Sequence, residues 1–238
     1  MIVCIDCGNT RIKWGVHDDK SWVAQGALGH GEVDRLGELC QRWPLPERLM
    51  LANVAGPMLG EAIAQHMAPW SAVLRCVKSV ASGGGVTNLY KNPERLGVDR
   101  WCALVGARSL GLTPRLVVMA GTATTIDSLD GDGKFIGGLI LPGLDLMRRA
   151  LAHGTAALPL LPGQYDTAPR CTEDAILSGC IEAQLGAIER AFGRLAGPDA
   201  CCLLSGGNAD LLAHHLVIPH ALAHNLPLEG LRHLALEP

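Results

Sequence analysis

An apolar strand, a glycine-centred tight turn and a second strand open this chain, and the same succession opens again near its middle. Residues 2–9, 11–18 and 21–28 carry strand patterning with short breaks between them, and residues 115–120, 123–130 and 134–141 carry it again. The first turn is Asp6-Cys7-Gly8-Asn9-Thr10 and the second is Gly121-Thr122-Ala123-Thr124-Thr125. A duplicated start of this kind predicts an α/β chain of two similar halves, 1–112 and 113–238, each led by a strand meander. Further strands are expected over 48–54, 73–79 and 201–205. Helices are expected over 31–42, 57–68, about 94–110, from Pro142 to about 153, and over 172–196, 208–215 and 227–235.

The turns suggest chemistry. Glycine lets a backbone bend sharply and approach a ligand closely. Threonine hydroxyls and bare backbone N–H groups then hold anionic oxygens. One such turn usually just joins two strands. Two, at the same place in two similar halves, suggest jaws for a polyphosphate. A third, Ser205-Gly206-Gly207-Asn208, follows a strand and precedes a helix, where a nucleoside or phosphate meets a helix N-terminus. The chain has no G-x-x-x-x-G-K-[ST] and no G-x-G-x-x-G after a strand. Ser82-Gly83-Gly84-Gly85-Val86 lacks the lysine of a P-loop and is expected to be a flexible loop.

Composition narrows the classes. Apolar residues are 48% and charged residues 18%, which suits a packed core and excludes a disordered chain. The net charge of −3, with no Lys/Arg run, disfavours a nucleic-acid surface. No uncharged apolar stretch reaches the ~18 residues of a membrane span. The start Met1-Ile2-Val3-Cys4-Ile5-Asp6 is a strand pattern rather than a signal peptide. The nine cysteines are odd in number and irregular in spacing, and Cys4 and Cys7 of the lone C-x-x-C point to opposite faces of a strand. They are expected to be free, mostly buried thiols, as in a reducing cytoplasm.

Strand–Asp-x-Gly-Asn-Thr–strand, a second Gly-Thr turn and a Gly-Gly turn together resemble the phosphate and adenosine motifs of the actin–hexokinase–sugar-kinase superfamily. Within it, Asp6 to Thr10 together with Tyr90-Lys91-Asn92-Pro93-Glu94-Arg95-Leu96-Gly97-Val98-Asp99-Arg100 is similar to type III pantothenate kinases. Gly121 to Thr125 and Gly137-Gly138-Leu139-Ile140-Leu141-Pro142-Gly143 match as well. The resemblance covers nearly the whole chain. It implies two ribonuclease-H-like (actin-like ATPase) domains with the active site in the cleft between them, a homodimer, and ATP and pantothenate as substrates.

The resemblance also implies roles. The ATP segment maps onto Asp6, Cys7, Gly8, Asn9, Thr10, Arg11, Ile12 and Lys13, with Thr122 a second ATP contact. A carboxylate beside phosphates repels them unless a divalent ion bridges the two, so Asp6 implies Mg²⁺. Asp99 matches the general base that takes the proton of the pantothenate hydroxyl. Tyr90, Gly97, Val98, Asp99, Arg100 and Thr172 match the pantothenate site, where a guanidinium suits a carboxylate. Thr172 also reads as a helix N-cap, ahead of Glu173-Asp174-Ala175. Many family members carry aspartate two residues before the second glycine turn, where it holds K⁺ or NH₄⁺. Here that place is Met119, a soft and uncharged group, with Asp127 on the next strand.

Two rival readings keep this fold. One is another acceptor, as in a sugar or acetate kinase or a nucleotide phosphatase, and the Tyr90–Arg100 segment argues against it. The other is a transcription accessory factor, which would be free to lose Asp6, Asp99 or Thr122; all three are present.

Overall fold

The computed structural model describes residues 1–195, 197 and 199–237. It divides into two compact units: Met1–Leu112 with Gly133–Phe135 and the chain from Asn225, and Thr113–Asp132 with Ile136–His224.

The first unit opens with an antiparallel meander of β1 (Ile2–Cys7), β2 (Arg11–His17) and β3 (Trp22–Gly29). β4 (Arg48–Asn53) runs parallel to β1, and β5 (Leu74–Cys76) lies outside it, giving the order β3-β2-β1-β4-β5. Strand alternation sorts the side chains. Val3, Ile5, Leu49 and Leu51 point into a core closed by Leu36, by Leu39 of α1 (Gly37–Arg42) and by Ile63 of α2 (Pro57–His66). Cys4, Asp6 and Met50 therefore point to the opposite face.

Three local expectations need correction. The helix expected over 31–42 begins as a 3-10 turn, His30–Leu36, and only α1 is α-helical. The strand expected over 73–79 shortens to β5. Ser82–Val86 is not a loose loop but the tip of a hairpin between β6 (Ser82–Gly83) and β7 (Val86–Asn88). Gly84 and Gly85 both take positive φ, 58° and 71°, the pair a two-residue type I′ turn requires.

The helix expected from 94 is also interrupted. A 3-10 turn covers Pro93–Arg95, Leu96 and Gly97 are extended, and α3 runs Val98–Ser109. That break puts Asp99 and Arg100 in the first turn of α3.

The second unit repeats the plan with β8 (Arg115–Ala120), β9 (Ala123–Leu129), β10 (Lys134–Pro142), β11 (Cys201–Ser205) and β12 (His220–Leu222), in the order β12-β11-β8-β9-β10. In each unit the first strand is flanked by its antiparallel hairpin partner and by the parallel fourth strand. The duplication read from the sequence is thus a duplication of topology. α4 (Leu144–Gly154), α5 (Thr172–Phe192) and α6 (Ala209–His215) complete this unit. α5 lays Ile181, Leu185 and Ile188 on Leu116, Val118, Ile126 and Leu204.

The last helix, α7 (Leu226–Ala235), belongs with the first unit, so residues 225 onward do not group with 113–224. It packs on α3 through two glycines: a Cβ on Gly230 would collide with the Cys102 carbonyl, and one on Gly106 with the Leu226 carbonyl. Among the described residues no helix is long and apolar enough to cross a membrane.

Candidate functional site

The first turn is a three-residue connection, Gly8 to Thr10, closed by the Gly8 N–H donating to the Arg11 carbonyl at 3.0 Å. Gly8 is not among the residues with positive φ, so sharp bending does not explain it. An added Cβ would meet only the Arg11 carbonyl, at 3.5 Å, so glycine leaves open space on this side of the turn. Cys7 and Ile12 are buried in the core and pair with each other at the ends of β1 and β2, whereas Asn9, Thr10 and Arg11 are exposed.

Asp6 sits at the end of β1, directly across from Lys13 on β2, and is only 8% exposed. Its Oδ1 is buried with no hydrogen-bond partner. Burial pushes this carboxyl up to about 7; the nearby charge of Asp99 adds to the rise and Lys13 opposes it. The strand end and the first turn of α3 therefore bring two carboxylates together that lie more than ninety residues apart in sequence. Asp99 Oδ1 accepts the backbone N–H of Arg100 at 2.8 Å, one of the free donors of a helix start. Gly97 leaves room for that carboxylate, since a Cβ there would press on Asp99 Oδ1. Val98, half-buried, begins the helix.

Arg100 is 5% exposed. Its Nη1 donates to the Tyr90 hydroxyl at 3.0 Å, and its guanidinium carbon lies 5.6 Å from the Tyr90 ring and 5.8 Å from the Phe135 ring. Tyr90 and Phe135 touch each other at 5.2 Å between centroids. The buried Asn88 shapes this loop: its amide donates to the carbonyls of Val80 and Pro93, and its oxygen accepts the Tyr90 N–H. Ser79 ties the Leu96 carbonyl at 2.8 Å. Phe135, Asn88 and Ser79 escaped sequence reasoning. Phe135 arrives by pairing with Asn88 across β10 and β7, a long-range match that leaves no local pattern.

In the second unit, the Gly-Gly turn lies against the Gly121 turn. Gly206 has φ of 103° and packs so closely on Ala120 that a Cβ would strike its carbonyl, and the Asn208 N–H donates to that carbonyl at 3.0 Å. Thr122 is exposed, and its carbonyl accepts the Gly143 N–H at 3.0 Å. Two turns far apart in sequence thus form one surface of this unit.

Thr172 is the first residue of α5, not its cap. Cys171 holds the N-cap position, with φ −136° and ψ 163°, and its thiol pairs with Asp174 three residues on. The N-cap position thus falls one residue before the threonine, without a side-chain cap hydrogen bond, a shift the sequence pattern does not resolve.

Met119 lies opposite Thr125 on β9 and beside Ser205 on β11. Asp127, opposite Val117, shares the same face of the sheet and is fully buried. The hydroxyls of Thr125 and Ser205 are buried without a hydrogen-bond partner.

The family model of type III pantothenate kinase matches residues 2–194. The chain belongs to this family. The type III pantothenate kinase of Dechloromonas aromatica (strain RCB) is 64% identical over 237 residues, covering 100% of both chains. Among solved structures, a putative Baf family transcriptional activator from Campylobacter jejuni superposes with a TM-score of 0.64 at 20% identity, covering 98% of this chain and 96% of that one. A putative 2-dehydro-3-deoxygalactonokinase from Sinorhizobium meliloti gives 0.64 at 15%, covering 99% and 98%. At such identities these neighbours share the fold alone, a two-sheet α/β frame.

Proposed function

We propose that this chain transfers the γ-phosphoryl group of ATP to the primary hydroxyl of pantothenate, giving 4′-phosphopantothenate for coenzyme A synthesis. The observation that carries this reading is the meeting of Asp6 and Asp99 beside the Tyr90–Arg100 pair in a chain of this family.

The buried, unpartnered Asp6 Oδ1 suits a hard cation. Among the described residues no group of three metal-binding side chains occurs, so the ion would share its shell with phosphates and water, as Mg²⁺ does. Asp6 would hold Mg²⁺, which would supply positive charge against the triphosphate. The turn from Asp6 to Lys13 faces the phosphates with exposed backbone and the Lys13 ammonium, and Thr122 keeps the second ATP contact its motif position carries.

Asp99 takes the proton of the pantothenate hydroxyl as its oxygen attacks phosphorus in line with the departing ADP oxygen. The transition state is loose, so placement and charge neutralisation supply most of the rate. Arg100, held by Tyr90 and the two rings, is set to receive the pantothenate carboxylate without side-chain ordering on binding. Gly97 and Val98 complete that segment, and Thr172 keeps its substrate contact. K⁺ or NH₄⁺ is a further candidate ligand of the second unit.

The dimer rests on α5. Ala175, Gly179, Ala183 and Gly186 form an exposed small-residue stripe, and nothing lies within 4 Å of a Cβ placed on either glycine. The apolar stripe of the same helix is spent on its own core. Nine free thiols, five of them buried, fit a cytoplasmic site of action.

A coupled assay with ATP and pantothenate tests the function. ADP release with pantothenate, and none above background with sugars or acetate, is expected. Release with a sugar but not with pantothenate would overturn it.

A further inference from the structure

Outside the motif residues, one side chain reaches the first turn. His30 Nε2 lies 2.9 Å from the Gly8 carbonyl oxygen. A carbonyl only accepts, so His30 donates, and its Nε2 carries the proton. The fold delivers this histidine by a short route. Arg11, next to the turn, pairs with Gly29 at the end of β3, and His30 follows. Glu32 fixes the start of the 3-10 turn by accepting the Gly29 N–H at 2.9 Å, and Arg35 holds Glu32 at 2.8 Å.

The consequence concerns the Gly8–Asn9 peptide. It is trans, so its C=O and N–H point in opposite directions. With the carbonyl tied to His30, the Asn9 N–H points away from His30, and it has no acceptor among the described residues. Glycine at position 8 gives this peptide freedom to flip. A flipped peptide would aim its carbonyl oxygen, not its N–H, at an anion. The bond to His30 opposes that flip and also polarises the peptide, strengthening the N–H as a donor.

We infer that His30 is a positioning residue for ATP: it locks the Gly8–Asn9 peptide with the N–H turned toward a phosphate oxygen. This rests on the reading of the Asp6–Lys13 turn as the triphosphate site. His30 touches no substrate atom.

The test compares His30→Phe, which keeps a ring and loses the donor, with His30→Gln, whose amide nitrogen falls near the Nε2 position. Losing one hydrogen bond of this kind is worth about 1–1.5 kcal/mol, so KM for ATP, and Kd for ATP by calorimetry without pantothenate, should rise about tenfold in His30→Phe. KM for pantothenate should stay within twofold. His30→Gln should recover most of the ATP affinity. If His30→Phe does not purify folded, His30→Asn replaces it, because its shorter amide stops near Nδ1 and leaves Gly8 without a donor. Equal ATP affinity in the donor and donor-less variants would overturn the inference, as would a parallel loss for ATP and pantothenate. Asp6→Asn separates the two readings. If it weakens metal-dependent ATP binding while His30→Phe does not, the turn is the triphosphate site and only the role of His30 falls. If neither changes ATP binding, both fall.

Discussion

Asp6, at the end of β1, faces Asp99 in the first turn of α3 closely enough for the charge of one to raise the pKa of the other. Burial is the larger cause of that rise. The free protein thus holds a carboxyl that titrates near neutrality at the place proposed for Mg²⁺.

Stability should report this. A carboxyl raised to about 7 keeps, in the folded state, a proton that the unfolded chain releases near pH 4. The unfolded state binds fewer protons across that window, so Asp6 lowers stability as pH rises from 4 to 7. Three pKa units amount to about 4 kcal/mol at pH 8. Asp6→Asn should therefore raise Tm by several degrees at pH 8 and by little at pH 4. The same variant should weaken metal-dependent ATP binding while sparing pantothenate. Equal Tm gains at both pH values, or unchanged metal dependence in a Mg²⁺ titration at fixed ATP, would contradict the respective role.

Asp99→Asn should keep the fold and ATP binding and lower kcat. A general base contributes about 10²–10⁴-fold, and a loose transition state places the loss near the lower end. Unchanged turnover of the purified variant would remove the assignment.

Gly230→Ala sets two principles against each other. Helix propensity alone favours alanine by about 1 kcal/mol. Here the added methyl would strike the Cys102 carbonyl of α3. The structure therefore predicts destabilisation by about 2 kcal/mol or more, measurable in a urea titration. Gly207→Ala, where a Cβ meets open space, serves as the comparison and should stay near wild type.

The face around Met119 offers neutral oxygens from Thr125 and Ser205, with the thioether at the place where the family resemblance implies an aspartate. Without that charge, activation by K⁺ or NH₄⁺ should be weaker than in aspartate-bearing relatives. Initial rates in sodium, potassium and ammonium buffers at constant ionic strength measure it. Met119→Asp should increase the dependence. A strict potassium requirement in the parent chain, lost in Asp127→Asn, would place the site at Asp127.

For the dimer, Gly179→Leu and Gly186→Leu add bulk where a single chain has open space, so each chain should remain folded. Light scattering at micromolar concentration should then show the variants shifted toward monomer. A monomeric parent would reject the dimer.

Much of this was legible in the sequence, and the reason is local. The two meanders announce themselves through apolar runs broken by Gly8 and Gly121, and Asp6, Tyr90, Asp99 and Arg100 are picked out by the family resemblance of the segments that carry them. What stayed hidden depends on long-range pairing. Phe135 reaches Tyr90 through a strand match, His30 reaches Gly8 through the register of β2 with β3, and neither leaves a periodic trace. The triple glycine misled because a tight I′ turn and a loose loop share a composition. The cap of α5 was read one residue late because Thr172 carries the side chain usual at an N-cap, whereas Cys171 holds that position through its extended backbone alone.

The return of α7 to α3 sets an order of events during synthesis. The face of β1 that carries Cys4 and Asp6 stays without α7 until residues 226–235 have been made, after β12, the last strand of the second unit. The unit made first is therefore the unit finished last, and a chain lacking α7 would hold the strands of both units while one face of β1 stays uncovered.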